Sequence, residues 1–193
     1  MTIQQIFAEH ADVMAVARAK LPRVLDDATR TLQTCLAGGH KVLACGNGGS
    51  AASAQHLVAE LVCRFQVDRK ALAAVAVAAD IATLTAIGND YGYARIFARQ
   101  VEALAMPGDV LVALSTSGNS ANVLEAAQTA RAAGCTVLAM TGADGGALAA
   151  HADIVIRAPS NVVARIQEVH DICIHALAEA LEDFARQRGA PCR

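Results

Sequence analysis

Aromatic side chains are scarce in this chain: Phe, Tyr and Trp together make up 3% of its residues, and Trp is absent. That excludes a platform of stacked rings for single-stranded nucleic acid. Excess charge of either sign is also lacking. Sixteen Lys and Arg stand against 18 Asp and Glu, a formal net charge of −2. A broad electrostatic surface for DNA or RNA is not expected from that balance, so nucleic acid is not an expected partner. No uninterrupted apolar run approaches the roughly 18 residues of a membrane span. Met1 to Glu9 has neither the basic start nor the apolar stretch of an export signal. The reading is a cytoplasmic chain with no membrane partner. CxxC pairs are missing as well. Of the six cysteines, Cys35, Cys45, Cys63, Cys135 and Cys173 lie in apolar segments and read as small buried hydrophobes of a reducing compartment. Cys192, after Pro191, reads as an exposed tail residue.

Apolar residues are abundant. At 193 residues, 54% hydrophobic and 18% charged, the chain can bury a large core, and intrinsic disorder is excluded. The length suits one domain over 1–193, with a helical segment at 1–37 and a core at 40–187. So much apolar surface with so few charges also points to a buried subunit interface.

The patterning is that of an α/β protein. Ile6, Val13, Val16 and Leu21, then Val24, Leu25, Leu32 and Leu36, recur at helical spacing. Pro22 suits the first turn of a second helix, and Gly38-Gly39 ends it. Short apolar runs at Lys41–Cys45, Leu72–Ala78, Val110–Leu114, Thr136–Met140 and Ile154–Ile156 read as five strands. Between them, helices are expected at Ser50–Arg64, Ile81–Ile87, Tyr93–Ala105, Ser120–Ala133 and near Gly146–Ala150, with a long last helix at Val163–Gln187. Such alternation predicts a three-layer αβα sandwich around a parallel, flavodoxin-like sheet, preceded by the N-terminal helices.

In an open parallel sheet, ligands sit at the carboxyl ends of the strands. Three polar, glycine-containing loops fall there: Gly46–Ser50, Ser115–Ser120 and Thr141–Gly146. Ser115, Thr116, Ser117 and Ser120 supply four hydroxyls at a strand-to-helix junction, which suits a phosphate dianion at a helix N-terminus. Capping of the next helix by Ser120 explains one of those hydroxyls and not the other three. No Walker lysine is present, so triphosphate hydrolysis is not suggested. The glycines of Gly46-Asn47-Gly48-Gly49-Ser50 would allow a ligand close to the backbone, without the spacing of a dinucleotide fingerprint. His56 and Glu60 are one helical turn apart, a spacing for a divalent metal, an acid/base pair or a plain ion pair. Gln167, Glu168, His170, Asp171 and His175 punctuate the last helix, where a solvated face is the simple alternative. Gln167 and His175 are about 12 Å apart along a helix axis. One metal would reach both only with side chains that lean together, or from different copies of the chain. Gly88-Asn89-Asp90 suits a turn or a polyol contact.

The run Cys45-Gly46-Asn47-Gly48-Gly49-Ser50-Ala51-Ala52-Ser53-Ala54-Gln55-His56, with Glu60, resembles the phosphoheptose isomerases of the sugar isomerase (SIS) superfamily. So do Gly88-Asn89-Asp90, Ser115–Val123, Thr141-Gly142 with Asp144-Gly145-Gly146, and Arg165–Glu168 with His170 and His175. The resemblance covers nearly the whole chain in order. It implies a homotetramer of SIS domains with active sites at subunit interfaces. It implies isomerisation of D-sedoheptulose 7-phosphate to D-glycero-D-manno-heptose 7-phosphate, the first step of ADP- or GDP-heptose biosynthesis for glycans such as lipopolysaccharide. The zinc ligands of the family, for one Zn2+ per subunit, match His56, Glu60, Gln167 and His175. Its substrate contacts match Asn47, Gly48, Gly49, Ser50, Glu60, Asn89, Asp90, Ser115, Thr116, Ser117, Ser120 and Gln167, and its acid/base residues match Glu60 and His175. Ser53 and Ala164 stand where relatives often carry Asp. Two alternatives accompany this reading: a non-catalytic SIS tetramer that binds the replication initiator DnaA, and an isomerase of altered product stereochemistry. Glu60, Gln167 and His175 favour the enzyme.

Overall fold

The structure, a computed structural model, describes residues 2–188, with the side chain of residue 188 excepted; Cys192 lies outside the described residues. Two helices open the chain, α1 (Ile3–Lys20) and α2 (Pro22–Ala37). A capping box starts α1, in which the Gln5 N–H donates to the Thr2 hydroxyl and the Thr2 N–H donates to Gln5 Oε1. Pro22 stands in the first turn of α2, where its missing N–H costs nothing. Then come β1 (Val42–Gly46), α3 (Gly49–Val62), β2 (Ala74–Ala76), α4 (Ile81–Tyr91) and a 3-10 turn at Tyr93–Arg95. They are followed by α5 (Ala98–Leu104), β3 (Val110–Ser115), α6 (Ala121–Ala132), β4 (Thr136–Thr141), a 3-10 turn at Ala147–His151, β5 (Ile154–Arg157) and α7 (Val163–Arg188).

The five strands form one parallel sheet in the order β2-β1-β3-β4-β5. Alternate strand residues feed two cores. Val42, Ala44, Val110, Val112, Leu138 and Met140 pack under α1, α2, α3 and α7. Leu43, Cys45, Leu111, Ala113, Val137 and Ala139 pack under α4, α5 and α6. Both faces are buried, which is why the strands read as continuous apolar runs. The direction of winding reverses between β1 and β3, so the crevice of this sheet lies at their carboxyl ends.

The structure corrects four details. Asn89 and Asp90 continue α4 instead of forming a turn; Asp80 caps that helix and Gly92, at φ +85°, stops it. The segment Tyr93–Ala105 breaks into a 3-10 turn and α5. The second strand is shorter than its apolar run, with Leu72 and Ala73 before it and Val77 and Ala78 after it. Cys63 is exposed, while Cys35, Cys45, Cys135 and Cys173 are buried free thiols. The burial of Cys45 and Cys173 pushes both thiols up to about 12, which makes them inert packing groups.

The amino end of the sheet is tied by Asp109, which is 1% exposed. Its carboxylate accepts from Lys41 N–H at 2.9 Å, Lys41 Nζ at 2.6 Å and Met106 N–H at 2.8 Å. Burial pushes this carboxyl up, but the hydrogen bonds and the Lys41 charge outweigh it and hold the pKa below the ordinary range. A depressed folded pKa gives stability that is present above the unfolded value of about 3.9 and lost as pH falls through the folded one. Asp109→Ala is expected to cost about 3 kcal/mol at neutral pH, because two buried N–H groups and an ammonium lose their acceptor. It should also flatten the acid limb of the stability curve. Urea unfolding at neutral and acid pH, at fixed chain concentration, measures both effects; an unchanged acid limb would refute the assignment.

Candidate active site

The loop after β1 and the loop after β3 meet at the crevice. In the first, Gly48 takes φ +54° and serves as N-cap of α3, and no side chain caps that helix. In the second, Ser120 stands at the N-cap of α6 but does not cap it. Its hydroxyl pairs instead with Ser115 Oγ at 3.0 Å. Two helix N-termini are thus left without side-chain caps at the switch point, each presenting N–H groups and partial positive charge to the same crevice. A phosphate dianion suits that arrangement. Ser117 Oγ accepts from the Asn119 N–H at 3.1 Å, which shapes the turn. The Ser50 and Thr116 hydroxyls make no hydrogen bond among the described residues.

Asn122 clips the two loops together. Asn47 Nδ2 donates to Asn122 Oδ1 and Asn122 Nδ2 donates to Asn47 Oδ1, both at 2.8 Å. The Tyr93 hydroxyl adds a third bond, to Asn47 Oδ1 at 3.0 Å. Sequence reasoning assigned no role to Asn122 or Tyr93. The available signal for Asn122 was an amide in the first turn of a helix whose neighbours Val123 and Ala126 are core residues. Asn89 and Asp90 lie exposed at the end of α4, where Asn89 Nδ2 donates to Asp90 Oδ1 at 2.8 Å.

The helices α3 and α7 run side by side in the same direction and meet at three points, each about one turn after the last. At the first point Gly49 faces Gln167: a Cβ on Gly49 would press on the Gln167 amide, so that glycine lets this side chain lie against α3. At the second, Ser53 Oγ donates to Asp171 Oδ1 at 2.7 Å. At the third, His56 Nε2 and His175 Nε2 are 3.3 Å apart, and Glu60 Oε1 lies 3.1 Å from His56 Nε2. One ligand atom from each of His56, Glu60 and His175 falls within 4.8 Å of the others. The rings of His56 and His175 meet edge to face at 4.9 Å, and Phe65 flanks His175 at 5.6 Å.

The structure therefore gathers three of the four expected ligands. The amide of Gln167 lies at Gly49, about 10 Å of helix axis before His56. Two imidazole nitrogens and a carboxylate form a donor set suited to zinc with an open coordination position. His170 is a different case. It is buried, its Nε2 contacts the Thr141 carbonyl oxygen at 3.1 Å, and burial depresses its pKa, which makes it a neutral core residue.

A family model for the SIS domain matches residues 5–142. A phosphoheptose isomerase of Shewanella denitrificans is 47% identical over 183 residues, 93% of each chain. The solved phosphoheptose isomerase GmhA of Neisseria gonorrhoeae superposes with a TM-score of 0.89 at 44% identity, over 94% of this chain and 97% of that one. That of Francisella tularensis gives a TM-score of 0.92 at 38% identity, over 95% and 100%. With the same fold, an SIS match over most of its length and a His-Glu-His cluster at one site, the chain belongs to the phosphoheptose isomerase family of the SIS superfamily.

Proposed function

We propose that the crevice converts D-sedoheptulose 7-phosphate to D-glycero-D-manno-heptose 7-phosphate, the aldose that opens ADP- or GDP-heptose synthesis for glycans such as lipopolysaccharide. The observation that carries this reading is the cluster of His56, Glu60 and His175, which begins about two turns along α3 from the uncapped N-terminus that opens on the crevice. The backbone N–H groups and the hydroxyls of Ser115, Thr116, Ser117 and Ser120 take the phosphate. Asn47, Gly48, Gly49, Ser50, Asn89, Asp90 and Gln167 are assigned to the polyol. Glu60 removes a proton from C1 while the C2 carbonyl oxygen gains one, giving a cis-enediol. His175 carries the hydroxyl proton between O1 and O2, and Glu60 returns its proton to C2 as O1 becomes the aldehyde oxygen.

One Zn2+ per subunit is assigned to His56, Glu60 and His175, with Gln167 as a fourth ligand, either leaning along α7 toward them or supplied by another copy of the chain. When bound, it supplies Lewis acidity toward the ketose carbonyl. A homotetramer with sites at subunit interfaces is supported by the apolar side chains that α1 and α7 leave exposed, among them Ile3, Phe7 and Ile172. No helix among the described residues is long and apolar enough to cross a membrane. The buried unpaired thiols fit a reducing cytoplasm.

Zinc-loaded protein incubated with the ketose phosphate in deuterated water is expected to give an aldose carrying deuterium at C2 by proton NMR. Its ring couplings identify the epimer. No exchange in tetrameric, metal-bound protein would overturn the assignment.

A further inference from the structure

Beyond the contact of His56 with His175, α7 holds the segment that follows α3 through a group outside the chemistry assigned above. Glu182 sits two turns past His175 on α7 and is 4% exposed. Its Oε1 accepts from the Phe65 N–H at 2.9 Å, and its Oε2 accepts from the N–H groups of Gln66 and Val67 at 2.9 and 3.1 Å. Arg69, 5% exposed, brings its Nε to 3.7 Å from the same carboxylate. The guanidinium donates to the backbone carbonyl of Glu60 at 2.6 Å, of Leu61 at 2.8 Å and of Lys70 at 3.0 Å. The first two belong to the last turns of α3, whose carbonyls lack helical partners and favour a cation.

A buried carboxylate and a buried guanidinium are costly unless they are paired and hydrogen-bonded; both Glu182 oxygens accept hydrogen bonds, while Arg69 Nε has the ion pair without a hydrogen bond. Closing a short surface loop does not require them. What they share here is their targets. Arg69 grips Glu60 through its own carbonyl, and Glu182 grips the N–H of Phe65, whose ring lies 5.6 Å from the His175 ring at 34°. Two of the three cluster residues are therefore supported, by separate routes, from one anchor on α7.

We infer that Glu182, acting with Arg69, is a positioning residue that sets the relative placement of Glu60 and His175. The inference rests on the reading of the cluster as a metal and proton-transfer site, and it assigns Glu182 no contact with substrate. Its effect belongs on metal affinity and kcat and leaves the phosphate loop after β3 untouched.

Two variants test it. Glu182→Gln keeps the shape and removes the charge; Phe65→Leu leaves the carboxylate grip and removes the ring. Zinc affinity is read by competition with a chromophoric chelator. The imidazole resonances of His56 and His175 are read by NMR in metal-free protein, and kcat and KM on the ketose phosphate. Glu182→Gln is expected to bind zinc about tenfold more weakly, in the range seen when groups that orient metal ligands are removed. Its imidazole resonances should shift in the absence of metal, and kcat should fall with KM little changed. Phe65→Leu should shift the His175 resonances alone. Unshifted resonances in folded Glu182→Gln, with zinc affinity within about twofold of the parent, overturn the inference. If Glu182→Gln does not fold, Glu182→Asp takes its place, and unshifted imidazole resonances with parent-like zinc affinity overturn the inference in the same way. Failure of the parent protein to exchange the substrate proton would overturn the proposed activity alone, since the metal-free resonances still decide the positioning role.

Discussion

Glu60→Gln is expected to stop the chemistry and leave the sugar phosphate bound. The amide matches the carboxylate in shape, so the packing of α3 is preserved, but it has no basic oxygen to take the C1 proton. Loss of a positioned general base costs about 10²–10⁴ in rate. Deuterium should therefore no longer enter C2, and kcat should fall within that range. The Ser115–Ser120 loop lies on β3 and α6 and has no hydrogen bond to Glu60. Inorganic phosphate should accordingly bind as in the parent. Glu60 is also one of the three residues proposed to hold the metal, and a zinc assay on the same variant separates its roles. Zinc kept and exchange lost identifies the base; zinc and exchange lost together makes Glu60 chiefly a ligand. Full exchange would remove Glu60 as the base, and the zinc assay alone would then decide its role as a ligand.

Gly118→Ala should damage both stability and phosphate binding, although it adds a single methyl group. Gly118 sits at φ +65°, and a Cβ built there would lie 2.1 Å from the Gly145 carbonyl oxygen. That oxygen is backbone and cannot swing aside like the end of a side chain. The two loops also interlock from the other side: a Cβ on Gly146 would lie 2.5 Å from the Ser117 carbonyl oxygen. The Leu148 N–H donates to the Gly118 carbonyl at 2.9 Å, and the Gly142 N–H donates to Thr116 O at 3.0 Å. Left-handed strain and a forced shift of one loop against the other add to about 3 kcal/mol. Phosphate affinity should fall with it, because Ser117 and Ser120 flank the displaced residue. Calorimetric binding of inorganic phosphate to folded Gly118→Ala measures this; parent-like affinity would place the anion elsewhere. Gly39, which is also at positive φ, has nothing within 4 Å of its would-be Cβ. Gly39→Ala should show the conformational strain without the loss of phosphate.

Much of the architecture was legible in the residues themselves. A strand buried on both faces has to be a continuous apolar run, as Val42–Cys45 and Val110–Leu114 are, and polar glycine loops can only lie where such runs end. Periodicity placed His56 and Glu60 on one helix face because four residues make about one turn. Composition and spacing did not show which ligand those groups serve; the family resemblance named it. Element ends were less legible. Asn89 and Asp90 have turn chemistry, yet α4 carries them because Gly92 is the first residue that stops it.

Local sequence determined the strands, the helices and the position of the Ser115–Ser120 loop, since each depends on side chains within a few residues of one another. What lies between elements was decided by tertiary packing. The register of α3 against α7 brings residues 118 or 119 positions apart into contact, so that His175 meets His56 while Gln167 stops at Gly49. The same register turns Glu182, one acidic residue among several on a long helix, into the buried acceptor of three N–H groups beside the cluster. No local pattern encodes that contact, because its partners share neither a helix face nor a strand; they become neighbours only when both helices pack on one face of the sheet.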